Sequence, residues 1–207
     1  MEVTLRNGRS FSASKVISAM PLNVLKDVVF DPPLMSGKSA AANVGHVNKC
    51  VKVHAECRDV DLRSWSGIFH PHGQLIYAIA DGTTPSGNTH IVGFGGEHNH
   101  LIPEKEIERT KEVLQTLVPV DIERVIFHNW ADDEFADEAW FFPPSGLIAE
   151  QLGSLRAKQG NLYFPNSDWA VVWRSSNDGA IEEGARAAFA VKEDLGGRAS
   201  SQVRSVL

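Results

Sequence analysis

Residues 45–56 read "GHVNKCVKVHAE". Side chains alternate across a β-strand. Val47, Val51, Val53 and Ala55 therefore share one face, and His46, Asn48, Cys50, Lys52, His54 and Glu56 share the other. A half-buried strand is expected over His46 to Glu56. Lys49 breaks the pattern, because its parity sends an ammonium among the valines. Two readings stand side by side: a lysine that snorkels to nearby water, and one aimed inward for a function.

Working outward, the chain opens on a strand pattern, "VTLRNGRSF", in which Asn7-Gly8 signals a hairpin turn. Pro21 can start a short helix and Pro32-Pro33 breaks the chain. "SGKSAAANV" reads as a helix before the strand at 46–56. "GQLIYAIADG" and "NTHIVGFGG" read as two strands joined by the turn-rich "DGTTPSGN". Residues 103–117 form the clearest helix, with Pro103 first, acids in the first turn, and Ile107, Leu114 and Leu117 on one face. "ERVIFHNW" is a strand, "FFPPSG" a breaker, "LIAEQLGSLRA" a helix and "NLYF" a short strand. The last helix is expected to open near Asp178-Gly179, capped by Asn177 or Asp178, and to stop at Gly196-Gly197. No internal repeat interrupts this order. The mixture implies an α/β (α+β mixed) body.

The composition is that of an ordinary globular chain: 207 residues, 43% hydrophobic, 22% charged. The net charge of −6 and the lack of a dense Lys/Arg stripe argue against a nucleic-acid partner. No apolar run approaches the ~20 residues of a membrane span, and "MEVTLRNGRSF" has no apolar signal region. Cys50 and Cys57, seven apart on one strand-like run, would point to opposite faces and suit a reducing compartment. The cytoplasm is the expected location. A peroxisomal address is the weaker alternative, since the terminal "SVL" lacks the basic middle residue of S-K-L.

Several constellations have plain readings. "VGFGG" supplies two glycines of G-x-G-x-x-G, but His98 stands at the third position, so a strand end is expected. His70-x-His72 and His98-x-His100 lack the i, i+4 spacing of a zinc helix and read as solvated loop histidines, so no metal is expected. The acids of "ADDEFADEAW" read as a solvated loop. The "DGA" start of the last helix is different. It presents free N–H groups and a positive dipole end beside Gly179 and Ala180, small enough to let another body approach.

The chain resembles the C-terminal part of a flavin-dependent amine oxidase of the fungal monoamine oxidase type. The likeness is carried by "VISAMPLNVLKDVVFDPPL", "GHVNKCVKVHAE", "RSWSGI", "YAIADGTTPSGNTHIVGFG", "FHNWADDEFADEAWFFPP" and "NSDWAVVWRSSNDGAIEEGARAA". The resemblance implies a partial amine oxidase fold. Residues 1–31 and 134–195 would belong to an FAD-binding domain, 32–133 to a substrate-binding domain with a mixed sheet and helices, and 196–207 to a disordered tail. It implies roles as well. Lys49, in the G-x-x-x-K pattern after Gly45, would hold a water beside flavin N5. Trp140 would form one wall of an aromatic cage for the amine, and Ser176 stands where the second wall is aromatic. Ser167, Asp168, Trp173, Asp178, Gly179 and Ala180 would contact FAD.

Departures from the family pattern shape the expectation. The chain contains no N-terminal G-x-G-x-x-G segment to cradle a pyrophosphate, so about the first half of a family member is expected to be absent. Ala139 stands where some relatives attach FAD through cysteine, which implies non-covalent FAD. Glu138, Pro165 and Val172 replace small residues near the ring. The implied function is oxidative deamination of a small amine, with O2 reduced to peroxide. The alternative is a non-catalytic remnant or accessory module. The hairpin at 3–17 and the last helix are expected to expose apolar surface, so self-association or docking of a separate N-terminal half is the expected partnership.

Overall fold

The computed structural model describes residues 1–69, 73–97 and 101–203. The elements in chain order are β1 (Glu2–Thr4), β2 (Ser10–Ser12), β3 (Val16–Ile17), α1 (Ser36–Val44), β4 (Cys50–Cys57), β5 (Ser66–Ile68), β6 (Leu75–Thr83), β7 (Thr89–Glu97), α2 (Ile107–Leu117), β8 (Ile122–Phe127), α3 (Leu147–Arg156), β9 (Leu162–Tyr163) and α4 (Asn177–Val203). They divide into two compact units, one of residues 1–47 with 141–207, the other of residues 48–140. No described helix is long and apolar enough to cross a membrane.

The 48–140 unit is an antiparallel sheet of order β5-β6-β7-β4-β8 with α2 on one face. The alternation expected of the central strand holds where the ladder holds. Val51, Val53, Ala55 and Cys57 point into a core with Leu75, Ala78, Ile91 and Leu114. Gly93 lies inside β7, and a Cβ there would meet Leu75 and Leu114 at 3.1 and 3.2 Å. Gly93 thus lets β7 pack closely under Leu75 and Leu114 of α2. α2 starts at Ile107, not at Pro103, because residues 102–106 close a separate turn in which Glu106 N–H donates to Ile102 O. Ile107 is consequently exposed while Leu114 is buried. Burial raises the thiol pKa of both Cys50 and Cys57, the latter to about 11, with Asp59, Asp121 and Glu56 adding to the effect.

The other unit joins α1 and α3 around Leu22, Leu25, Ala41, Phe141, Leu155, Phe164 and Trp169, beside the parallel pair β3–β9, with α4 against the Ser167–Trp169 turn. The β1–β2 hairpin forms as expected, with Gly8 at φ +82° in its turn. Gly45 is needed for two reasons. Its φ is +64°, and a Cβ would lie 2.6 Å from Asn23 Oδ1. Asn23 clamps the next residue, accepting from His46 N–H at 2.9 Å and donating to His46 O at 3.1 Å. α1 belongs to this unit, and the division into compact units falls at 47/48 and 140/141. α4 runs on to Val203 rather than stopping at Gly196-Gly197. Glycine weakens a helix interior by ~1 kcal/mol without forbidding it. The pairs His70–His72 and His98–His100 lie outside the described residues.

Candidate functional site

Lys49 sits just before β4, where the ladder has not begun. Its parity therefore does not apply, and the ammonium does not lie among the valines. Val47 is 73% exposed, and the Lys49 side chain is 34% exposed. Lys49 Nζ donates to Asp137 Oδ1 at 2.9 Å and to Ala131 O at 3.4 Å. Asp137 adopts φ +51°, a left-handed conformation that costs a non-glycine residue roughly 1–2 kcal/mol. The backbone at 48 and 139–140 explains how this segment is held. Ala139 N–H donates to Asn48 O at 3.0 Å, and Asn48 Nδ2 donates to Trp140 O at 2.8 Å. Lys49 and Trp140 are thereby brought to one edge of the 48–140 unit.

Trp140 does not stand alone. Its ring lies 5.6 Å from that of Phe94, which lies 6.0 Å from Tyr77. Tyr77, Phe94 and Lys52 form one cross-strand row on the face of the sheet opposite α2, and Lys52 Nζ is 5.7 Å from the Phe94 centroid. Sequence reasoning missed Asp137, Phe94 and Tyr77. Asp137 was hidden in an acidic run whose default is solvation. The two aromatics become neighbours only through the β6–β7 register, although alternation in each strand was the available signal. The acidic loop is more ordered than a solvated run. Asp133 accepts from Phe135 N–H and pairs with His128, and both bonds hold its carboxyl below the usual range.

The other candidates lie in the 1–47/141–207 unit. Ser167 and Asp168 occupy a helical turn, Ser167–Trp169, capped by Asn166. Asp168 is buried and accepts from Leu22 N–H at 3.4 Å. Ser175 N–H donates to Ser167 O at 3.0 Å, which brings the start of α4 to this turn. Ser176 caps α4, accepting from Gly179 N–H at 3.1 Å and donating to Trp173 O at 2.6 Å. The cap is thus Ser176, one residue before Asn177 and two before Asp178, and Ser176 spends its hydroxyl on the helix. Gly179 is small for the chain's own sake, since a Cβ would lie 2.1 Å from Trp173 O. Asp178 and Ala180 are exposed, as are Val172 and Trp173. Glu182 takes the amides of Val171 and Val172 at 2.9 and 3.2 Å, and these bonds lower its pKa.

FAD can be tested against this turn. Ser18 Oγ and Arg174 Nε are buried without a hydrogen-bond partner. Both flank the Asn166–Asp168 turn, since Asn166 Nδ2 donates to Ala19 O and Ser175 N–H to Ser167 O. Two orphaned polar atoms beside the expected contact residues fit a polar group such as a dinucleotide, because burial without a partner costs free energy.

The model of the flavin-containing amine oxidoreductases matches residues 1–192. The chain belongs to that family. It is 28% identical over 202 residues to a pseudooxynicotine dehydrogenase of Pseudomonas sp., covering 96% of this chain and 40% of that one. It is 27% identical over 210 residues to human flavin-containing amine oxidase B, covering 92% and 39%. Among solved structures, cyclohexylamine oxidase from Brevibacterium oxydans IH-35A superposes with a TM-score of 0.78 at 20% identity, over 94% of this chain and 46% of that one. Putrescine oxidase bound to putrescine superposes at 0.76 and 20%, over 91% and 44%. The flavin amine oxidase fold is therefore present in part, and the chain spans about 40% of the length of its curated relatives. FAD is the cofactor of this family.

Proposed function

We propose that the chain is part of a flavin-dependent amine oxidase that deaminates a small amine. The observation that carries the reading is the pairing, in a member of the flavin-containing family, of Lys49 with Trp140 through Asn48. The 48–140 unit is read as the substrate-binding domain. The remainder is read as part of the FAD-binding domain. There Ser167, Asp168, Trp173, Asp178, Gly179 and Ala180 would hold FAD, with Ser18 and Arg174 supplying the unpartnered polar atoms. Ala139 offers no thiol, so attachment would be non-covalent.

FAD, when bound, would supply acceptance of a hydride equivalent from the carbon beside the amine nitrogen, with O2 as the electron acceptor that would leave as peroxide. The chain's own residues do the rest. The Trp140 face seats the amine, whose positive or polarised nitrogen suits an electron-rich ring. Lys49 Nζ holds protons at a fixed point, where a water can be ordered. The imine product then hydrolyses to a carbonyl compound. The protein's contribution is orientation and electrostatics.

The second reading is a non-catalytic remnant. It is favoured by Ser176 serving as a helix cap where the family places an aromatic wall. The deciding experiment is to titrate the purified chain with FAD, follow flavin absorbance and fluorescence, and then assay peroxide from hexylamine. Flavin uptake with peroxide supports the oxidase. A chain that takes up no flavin is not an oxidase by itself; if adding a separate N-terminal half of a family member then restores neither flavin uptake nor peroxide release, the remnant is supported.

A further inference from the structure

We propose that Lys52 sets the substrate class: the amine accepted has a remote end that is neutral or acidic, and diamines are disfavoured. This rests on the reading of Trp140 as a substrate wall. The aromatic surface that begins at Trp140 continues over Phe94 to Tyr77, with ring centroids 5.6 and 6.0 Å apart in succession. An amine whose nitrogen sits at Trp140 can lay an apolar body along this strip. A second ammonium would gain most by seating itself over the next ring face, that of Phe94. That seat is held already, because Lys52 Nζ lies 5.7 Å from the Phe94 centroid, within the range of a cation–π contact.

The position of Lys52 is not accidental to the chain's wandering end. It is fixed by the β4–β7 register, which pairs Lys52 directly with Phe94. Residues of even number in β4 face away from α2, so no shift of one residue could place Lys52 elsewhere without turning Val51 and Val53 out of the core. The charge is felt further along the same face. The His54 pKa is lowered, first by burial and next by the Lys52 ammonium, and then by His90 against an opposing Asp81. A remote ammonium on a substrate would meet that field, whereas a remote carboxylate would be drawn to it and a methyl group would be indifferent. Like charges at contact distance in water correspond to roughly a fivefold loss of affinity.

The test uses the chain labelled with 15N-tryptophan, with the Trp140 indole signal identified by its loss in Trp140→Phe. Three probes of equal length are titrated: hexylamine, the diamine with an ammonium at each end, and the corresponding terminal amino acid. Hexylamine and the amino acid are expected to shift the Trp140 signal at concentrations roughly fivefold below the diamine. Lys52→Gln, on an exposed side chain, is expected to erase the difference. Equal shifts by hexylamine and the diamine in the unsubstituted chain, or an unchanged order in Lys52→Gln, overturn the role of Lys52 alone. If none of the three moves the Trp140 signal, Trp140 is not a substrate wall and the reading beneath this inference falls with it.

Discussion

At the scale of single residues, Lys38 shows how far a cation can be buried when its donors are used. Its side chain is 0% exposed, and Nζ donates to the carbonyls of Ser154, Leu155 and Ala157 at 2.7, 2.7 and 3.1 Å. Those carbonyls end α3, where an ammonium also meets the negative end of the helix dipole. The Phe164 ring lies 4.0 Å beneath it. Burial, aided by Arg186, lowers the pKa from 10.5 to about 8. Lys38→Met keeps the volume but strands the carbonyls, so a loss of about 2–4 kcal/mol in urea unfolding is expected at pH 7. The sign of the pH dependence is unusual. Between pH 8 and 10.5 the unfolded chain binds the proton and the folded one does not, so stability rises with pH there. The gap between wild type and Lys38→Met is expected to widen over that window, and a gap that narrows would refute the assignment.

Lys49 gives a second residue-scale test. Its ion pair with Asp137 leaves about a third of each side chain exposed, and such pairs contribute roughly 0–1 kcal/mol. The left-handed Asp137 costs about as much or more. Asp137→Gly is therefore expected to leave the unfolding midpoint nearly unchanged or slightly raised, while the Lys49 ammonium becomes more mobile in lysine-selective NMR. A large loss of stability would mean that the pair is worth more than its exposure allows.

At the scale of elements, Glu56 clamps the sheet. It lies on the face of β4 away from α2, yet is 6% exposed. It accepts from Thr84 and Asn88 in the β6–β7 turn and from Arg124 on β8, with Ser86 also bonded to it. The hydroxyls of Ser86 and Thr84, chiefly, hold its carboxyl down to about 2. A depressed carboxylate stabilises the fold above its unfolded pKa and loses that contribution as pH falls toward the folded value. Turn amides at residues 84–88 are expected to lose hydrogen-exchange protection between pH 4.5 and about 2. Glu56→Gln should show weak protection already at pH 7 and a flatter profile. Alternation made the face of Glu56 legible from the sequence, but not its burial, because the turn that folds over it is nonlocal. The same limit explains Lys49. Period-two reasoning is valid only along a maintained ladder. Here Asn48 Oδ1 accepts from Cys50 N–H at 3.3 Å, and the β4–β7 register shifts between Cys50 and Lys52.

At the scale of the whole molecule, the family and the mixed fold were legible because the resemblance runs through long collinear stretches and helical and strand patterns alternate along the chain. Gly45, Trp140 and the "DGA" helix start each have a local cause now visible. The fine allocation was not legible. Gly179 serves the Trp173 carbonyl, and Ser176 serves the α4 amides. The expected apolar surface is present in the 1–47/141–207 unit. Phe11 and Ile17 of its strands are half exposed, and on α4 Ile181 and Phe189 are 69% and 66% exposed. Ile181 and Phe189 are eight residues apart, so they fall on one side of the helix. α4 is nonetheless firmly anchored on its other side, where buried Glu183 pairs with Arg156 and Arg186, and Asp194 binds Lys15, Lys158 and Tyr163. A helix fixed so well, yet carrying large apolar side chains outward, exposes the kind of surface that promotes association. The chain at micromolar concentration is expected to sediment as more than a monomer and to bind a hydrophobic dye. Ile181→Glu with Phe189→Glu should lower both without lowering the unfolding midpoint, since neither side chain is in the core. A monomeric wild type, or a double variant that associates as before, would show that this side of α4 is ordinary solvent-facing surface.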